Sequence, residues 1–284
     1  MSGGGRLGIV DWGIGGLDLY RRLRLAGSPR DVHYWSDAGA PPYGTLDSDA
    51  LAQRLHEVLR RLHGQGCTDV VVACNAASTV LSAPPLQDLP LRIVGVIAPT
   101  LAALERRGLS EVAVIGGRRT IESRAYEAPL RAAGIRVHAR VAQPLSALIE
   151  RGVTDGPELH AYLDSILGPL RDVEHLVLAC THYVAVRAAI ERRLPRLRSV
   201  IDPAHETLAW IERTWGAARG RGTARFVTTG SPQAMQQAAR LAFGIELPQV
   251  RAVAQGRIGE ANYPSADAGP EISDARDLDE HHQS

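Results

Sequence analysis

The chain has 284 residues, 45% of them apolar, with 32 basic and 31 acidic side chains and a formal net charge of +1. That length fits one large domain or two smaller ones with packed cores. The balance of charge leaves no footprint for nucleic acid or an anionic membrane, and no run of about 18 apolar residues predicts a membrane span. All the basic residues are arginine. A chain without lysine cannot form the Schiff base of a pyridoxal-phosphate enzyme or supply the lysine of a P-loop, which weighs strongly against both classes. Cysteine occurs only at 67, 74 and 180. So few, and an odd number, argue against a disulfide framework and fit a reducing, cytoplasmic compartment. Their spacing lacks the CxxC of a structural zinc site, so no metal is expected. The glycine-rich start, Met1 to Arg6, leads straight into an apolar strand, so no signal peptide is expected.

In chain order, short apolar runs alternate with amphipathic helical stretches. Leu7–Asp11 reads as a buried strand, followed by the glycines at 13, 15 and 16 and a helix through Arg24. Asp31–Trp35 is a second strand, and Ser48–His63 a helix with Asp47 or Ser48 as N-cap. Asp69–Ala73 and Arg92–Ile97 are further strands. A second series opens at Glu111–Ile115, with a helix over Ser123–Ala133 and a strand at Val137–Ala139. It continues through a helix over Glu158–Leu170, a strand at His175–Leu178, a helix over Val184–Leu194 and a late strand at Arg225–Thr228. This alternation predicts α/β architecture with parallel sheets covered on both faces. Trp35, Trp210 and Trp215 read as packing residues. The polar stretch from about 255 to 284 is expected to be a mobile tail.

The two series echo each other. Val71-Val72-Ala73-Cys74-Asn75 parallels Val177-Leu178-Ala179-Cys180-Thr181, and Leu7–Gly16 parallels Val112–Gly117 as an apolar strand ending in glycine. Two facing α/β units of this kind would present two cysteines symmetrically. Ligands of open α/β sheets bind beyond the carboxyl ends of the strands, where Cys74 and Cys180 both fall. Each has hydrogen-bonding neighbours, Asn75 and Ser78 or Thr181 and His182; Cys67 has none and reads as a core residue. Two thiols suit a reaction that removes a proton from one face of a carbon and returns one to the other. A thiolate is a competent base, and its ordinary pKa of about 8.5 is close enough to neutrality to be tuned.

Six segments carry a resemblance over nearly the whole chain, from about Arg6 to Val253. They are Gly8-Ile9-Val10-Asp11-x-Gly-Ile14-Gly-Gly16-Leu17; Asp37 with Pro42-Tyr43-Gly44-Thr45; Ala73-Cys74-Asn75-x-Ala77-Ser78; Ser123-x-Ala125-Tyr126; Ala179-Cys180-Thr181-His182-Tyr183; and Thr228-Thr229-Gly230. In order and spacing the chain resembles the glutamate racemases, within the wider aspartate/glutamate racemase superfamily. The resemblance implies a cofactor-independent amino-acid racemase that serves cell-wall precursors, with a small amino acid as ligand and a homodimer as a common assembly. It implies two doubly wound parallel-sheet domains with the site in the cleft between them, residues 1–98 with 207–254 forming the first and 99–206 the second. It implies that Asp11 and Glu150 assist Cys74 and that His182 assists Cys180. Asn75, Thr120 and Thr181 would hold the α-carboxylate, and the backbone around Pro42, Tyr43 and Gly44 would meet the distal carboxylate.

The sequence departs from the family's usual pattern in the pocket: Trp12 stands for a serine, Ala76 for the threonine after Cys-Asn, Asp37-Ala38-Gly39-Ala40 for Asp-Thr-Ala-Arg, and Val184 for a proline. Trp12 and Ala76 are therefore read as lining the substrate pocket. They leave open a different substrate handled by the same mechanism, a related isomerisation or decarboxylation, and a homologue that binds without catalysis. Other residues keep second readings: Asp11 or Thr120 as a helix cap, Glu150 as a solvated helix end, His182 as a partner of backbone carbonyls, and Trp12 as a core residue.

Overall fold

The structure is a computed structural model that describes residues 5–216 and 219–255; the tail expected beyond 255 lies outside the described residues. The first half alternates β1 (Arg6–Asp11), α1 (Leu17–Leu25), β2 (Val32–Ser36), α2 (Ser48–Gly64), β3 (Cys67–Val72), α3 (Asn75–Ser78), α4 (Pro84–Gln87) and β4 (Arg92–Gly95). After α5 (Ile97–Arg107) come β5 (Glu111–Gly116), α6 (Arg118–Glu122), α7 (Glu127–Ala132), β6 (Arg136–Val141), α8 (Gln143–Glu150), α9 (Pro157–Leu167), β7 (His175–Ala179), α10 (Arg187–Glu191) and β8 (Ser199–Ile201). The chain closes with α11 (Pro203–Thr214), β9 (Ala224–Thr228), α12 (Pro232–Phe243) and β10 (Val250–Ala252).

The strands form two parallel sheets, ordered β10-β9-β2-β1-β3-β4 and β6-β5-β7-β8. The first four strands of each series follow one order, second-first-third-fourth, so the sequence echo is matched in topology. In both sheets the chain steps to one side of its first strand and then crosses to the other. The crevices at these reversals open beyond β1 and β3 in one sheet and beyond β5 and β7 in the other. β1 and β7 are buried from their second residue onward, as central strands of parallel sheets are.

In α2, Leu51, Leu55, Val58, Leu59 and Leu62 recur at helical spacing and are buried, and Asp47 caps the helix by accepting from Ala50 N–H at 2.7 Å. One apolar core runs beneath both sheets, joining Leu7, Ile9 and Val71 to Ile115, Leu176 and Leu178. The expected boundaries at 98/99 and 206/207 both fall inside helices. Those helices, α5 and α11, carry the chain between the sheets and pack against each other. Trp35 is buried, and Trp210 meets Trp215 edge to face at 5.8 Å, as packing residues do.

Two expected helices differ. The helix expected over Ser123–Ala133 begins only at Glu127, because Arg124 takes a left-handed conformation (φ 57°) that ends the preceding turn. A residue with a Cβ adopts it at a cost of about 1–2 kcal/mol. The break delivers Tyr126 to Asn75, and its hydroxyl donates to Asn75 Oδ1 at 2.7 Å. The helix expected over Val184–Leu194 is instead a 3₁₀ segment, Thr181–Val186, followed by the short α10. The tighter winding buries Tyr183, which donates to the Ala142 carbonyl at 2.6 Å.

Candidate active site

A cavity of about 320 Å³ lies between the sheets and is lined by residues from both carboxyl-end crevices. Asp11 and Trp12 follow β1, Cys74, Asn75 and Ala76 follow β3, Gly117 and Thr120 follow β5, and Cys180, Thr181 and His182 follow β7. Pro42, Tyr43 and Gly44 form one rim, and Glu150 reaches in from the end of α8. All thirteen residues singled out from sequence line this one space. Cys67 does not; it is buried in the core, and burial pushes its thiol up to about 12.

The glycine turn after β1 is where the second sheet's side chains close on the first. A Cβ on Gly13 would lie 2.1 Å from Glu150 Oε1, and one on Gly15 would lie 2.2 Å from Thr181 Oγ1. Two hydrogen bonds cross the cleft floor at this point. Thr181 Oγ1 donates to Asp11 Oδ2 at 3.0 Å, and Ile14 N–H donates to Glu150 Oε1 at 3.3 Å.

Asp11 is fully buried and also accepts from Trp12 N–H at 2.7 Å. Burial raises its pKa above the ordinary carboxylate value, against the opposing pull of His182 and the Thr181 and Trp12 bonds. It does not cap α1, whose N-cap is Gly16. Cys74 is pushed upward by burial, and the negative charges of Asp11 and Cys180 add to the effect, so its proton is firmly held.

Glu150, which the resemblance has assisting Cys74, makes its side-chain bond to His182. Its Oε1 is 2.5 Å from His182 Nε2, and the other ring nitrogen of His182, Nδ1, is 3.8 Å from Cys180 Sγ. Glu150, His182 and Cys180 therefore form one line on the β7 side, while Asp11 is the charge that acts most on Cys74. Burial disfavours charge on His182, but the Glu150 carboxylate outweighs it and holds the imidazole well above its ordinary value. Burial likewise raises Glu150, and the His182 charge and bond overcome this to leave the carboxyl below its usual range. Neither residue is a solvated helix end or a satisfier of backbone carbonyls.

Asn75 is buried, and its Oδ1 is taken by Tyr126. Its Nδ2 has no partner among the described residues. A buried amide donor left unpaired costs about 1–3 kcal/mol, and a ligand acceptor in the cavity would relieve that. Thr120 is the third residue of α6, not its cap, and is buried against the cavity. Tyr43 is buried. Its hydroxyl donates to Asp37 Oδ2 at 2.8 Å, and Asp37 is also held by two Arg54 bonds of 2.7 and 2.5 Å. The 42–44 loop is thereby anchored from behind and offers backbone to the cavity. Trp12 lines the cavity, its indole Nε1 donating to the Ala40 carbonyl at 3.0 Å. Two of the divergent positions noted in the sequence are thus bonded to each other.

Several lining residues were not visible from the sequence, among them Arg119, Gln143, Ser146, Ala147 and Arg151. Arg119 spans the cleft, donating to Thr79 Oγ1, the Leu46 carbonyl and Ser48 Oγ at 3.1, 2.7 and 2.9 Å. Gln143 sits just past β6, another carboxyl end, ahead of Pro144 in the first turn of α8; that strand-then-proline pattern was the available signal. No three His, Cys, Asp or Glu side chains among the described residues are arranged to hold a metal ion. No helix among them is long and apolar enough to cross a membrane.

Two parallel sheets of matching order, meeting carboxyl end to carboxyl end around a titratable cavity, define an α/β racemase. The chain belongs to the Asp/Glu/hydantoin racemase family, whose profile matches residues 8–210, and is with that family an isomerase. It is 34% identical over 268 residues to a glutamate racemase of Beutenbergia cavernae, covering 86% of this chain and 91% of the relative. Among solved structures it resembles the glutamate racemase of Thermus thermophilus in complex with β-chloro-D-alanine, with TM-score 0.76 and 30% identity over 88% of this chain and 97% of that one. A glutamate racemase isoform of Bacillus anthracis gives TM-score 0.79 at 27% identity, over 88% and 97%.

Proposed function

We propose that the chain racemises glutamate without a cofactor, using Cys74 and Cys180 as two bases on opposite faces of the α-carbon. The observation that carries this reading is the placement of one thiol from each sheet on a single cavity, each after the equivalent strand. Glutamate as substrate is supported by the relatives that are glutamate racemases.

In this scheme the substrate α-carboxylate accepts from the unpaired Asn75 Nδ2, with Thr120 and Thr181 beside it. These hydrogen bonds stabilise the negative charge that spreads from the α-carbon as its proton leaves. For one enantiomer, a thiolate at Cys180 takes the α-proton and the Cys74 thiol supplies a proton to the opposite face. The C–H bond broken on one side is replaced by a C–H bond on the other, and the two sulfurs exchange protonation states. A cationic His182 beside Cys180 stabilises negative charge on that sulfur. Asp11, raised by burial, is a fitting acceptor for the proton that Cys74 must release when the reaction runs in the other direction. Both thiols must stay reduced, which suits a cytoplasmic enzyme.

One observation favours a second reading, the same chemistry on a different amino acid: Trp12 puts a fixed indole on the cavity wall. The test is proton NMR in D2O with L- and D-glutamate and then other amino acids. Loss of the α-proton signal is expected with glutamate, and Cys74→Ser and Cys180→Ser should each abolish net racemisation. Near-normal turnover in either variant would overturn the two-base assignment. Exchange only with another amino acid would establish the second reading.

A further inference from the structure

The cavity holds a polar side chain that the reaction scheme leaves unused. Gln143 opens α8 on the wall facing the Pro42-Tyr43-Gly44 loop. Its Oε1 accepts from Arg118 N–H at 2.8 Å, which fixes the orientation of the amide, since the flipped form would set N–H against N–H. Nε2 then makes no hydrogen bond among the described residues. A Cβ on Gly44 would lie 3.7 Å from Oε1 and 3.9 Å from Nε2, so the amide reaches across the cleft to that loop. A Cβ on Gly117 would lie 3.1 Å from Oε1, which holds the side chain from the other side. The cavity lining also carries two arginines, Arg119 and Arg151. The cavity's two carboxylates are committed elsewhere, Asp11 to Trp12 and Thr181, and Glu150 to His182 and Ile14.

We propose that Gln143 is a specificity-determining residue that donates from Nε2 to an acceptor at the far end of the substrate side chain, selecting amino acids with a distal carboxylate over those with an apolar end. This rests on the proposed reading that the α-carboxylate lies at Asn75, which directs the side chain toward the 42–44 loop. A site built around such a donor rejects an analogue lacking the acceptor, because the donor is then left unpaired.

The substitution Gln143→Glu is the discriminating variant. It keeps an oxygen for Arg118 N–H and replaces the donating NH2 with a negative oxygen. Gln143→Met removes both. The donor role predicts that Gln143→Glu raises KM for glutamate by about ten- to a hundredfold with kcat little changed, and that Gln143→Met has the smaller effect. Gln143→Met should improve turnover of 2-aminopentanoate, an equally long substrate with no distal acceptor, relative to the parent, because it removes the donor that this substrate leaves unpaired. A purely structural role predicts the reverse order, Gln143→Met damaging and Gln143→Glu benign, and that order would overturn the proposal. If the parent protein exchanges no α-proton at all, the racemase reading fails by itself. Calorimetric titration with glutamate still reads the donor in that case: weaker binding to Gln143→Glu than to parent supports it, and equal affinity refutes it.

Discussion

Replacing Glu150 with Gln removes one negative charge and keeps an oxygen that can accept from His182 Nε2–H and Ile14 N–H. In the native site the carboxylate lies 2.5 Å from Nε2, with Glu150 at 24% and His182 at 6% side-chain exposure. A hydrogen bond to a charged partner is worth about 1.5–3 kcal/mol, and one pKa unit corresponds to about 1.4 kcal/mol. The His182 pKa should therefore fall by about 1–2 units in the variant. The sign of the linkage follows from the shifts. His182 is raised above its ordinary 6.5, so its contribution to stability is complete below that value and is lost as pH rises through the higher folded-state value. Glu150 is lowered from 4.5, so its contribution is present above that value and is lost as pH falls through the lower one. The pair is whole between the two folded-state values. In Glu150→Gln the alkaline limb of the pH–rate profile should move down with His182, and kcat/KM near neutrality should fall about tenfold to a hundredfold. The loss must be equal for both enantiomers, because the equilibrium constant between them is unity. Nitrogen-detected NMR of the imidazole and a pH–rate profile in each direction would test this. An unchanged His182 titration with an unchanged kcat/KM would refute the claim that Glu150 acts through His182.

Gly13→Ala should leave the protein folded but cost activity by a factor comparable to Glu150→Gln, since the new methyl meets Glu150 Oε1 at 2.1 Å and that carboxylate is the part free to move. The double variant should be little worse than either single one, and additive losses would show that the two act separately. Arg54→Met leaves the fully buried Asp37 with only the Tyr43 and Thr229 hydroxyls, so stability should fall by about 3–5 kcal/mol in denaturant titration. A change under about 1 kcal/mol would refute the role of Arg54 as the partner that offsets the burial of Asp37.

The α/β class, the echo between the two halves and the lining of the cavity by Cys74 and Cys180 were legible in the sequence. Each rests on local chemistry: apolar strands ending in Ala-Cys, and glycines where a side chain would collide. The helix breaks at Arg124 and Thr181–Val186 were not legible, because long-range partners cause them. Tyr126 is drawn to Asn75 and Tyr183 to the Ala142 carbonyl, 51 and 41 residues away in the chain. Gln143 and Arg119 were missed for a related reason. Arg119 carries no motif and Gln143 only a proline after a strand, and each becomes part of the site only when the two sheets meet.

The sequence by itself determined which residues stand at the carboxyl ends of the strands, since strand periodicity and glycine placement are properties of a few neighbouring residues. Only the tertiary structure decided how those residues pair. The approach of one sheet to the other put Glu150 against His182, joined Trp12 to the Ala40 carbonyl, and left the amide nitrogens of Asn75 and Gln143 without a partner among the described residues. A hydrogen bond demands a separation near 3 Å, and the distance between residues far apart in the chain is fixed by packing alone.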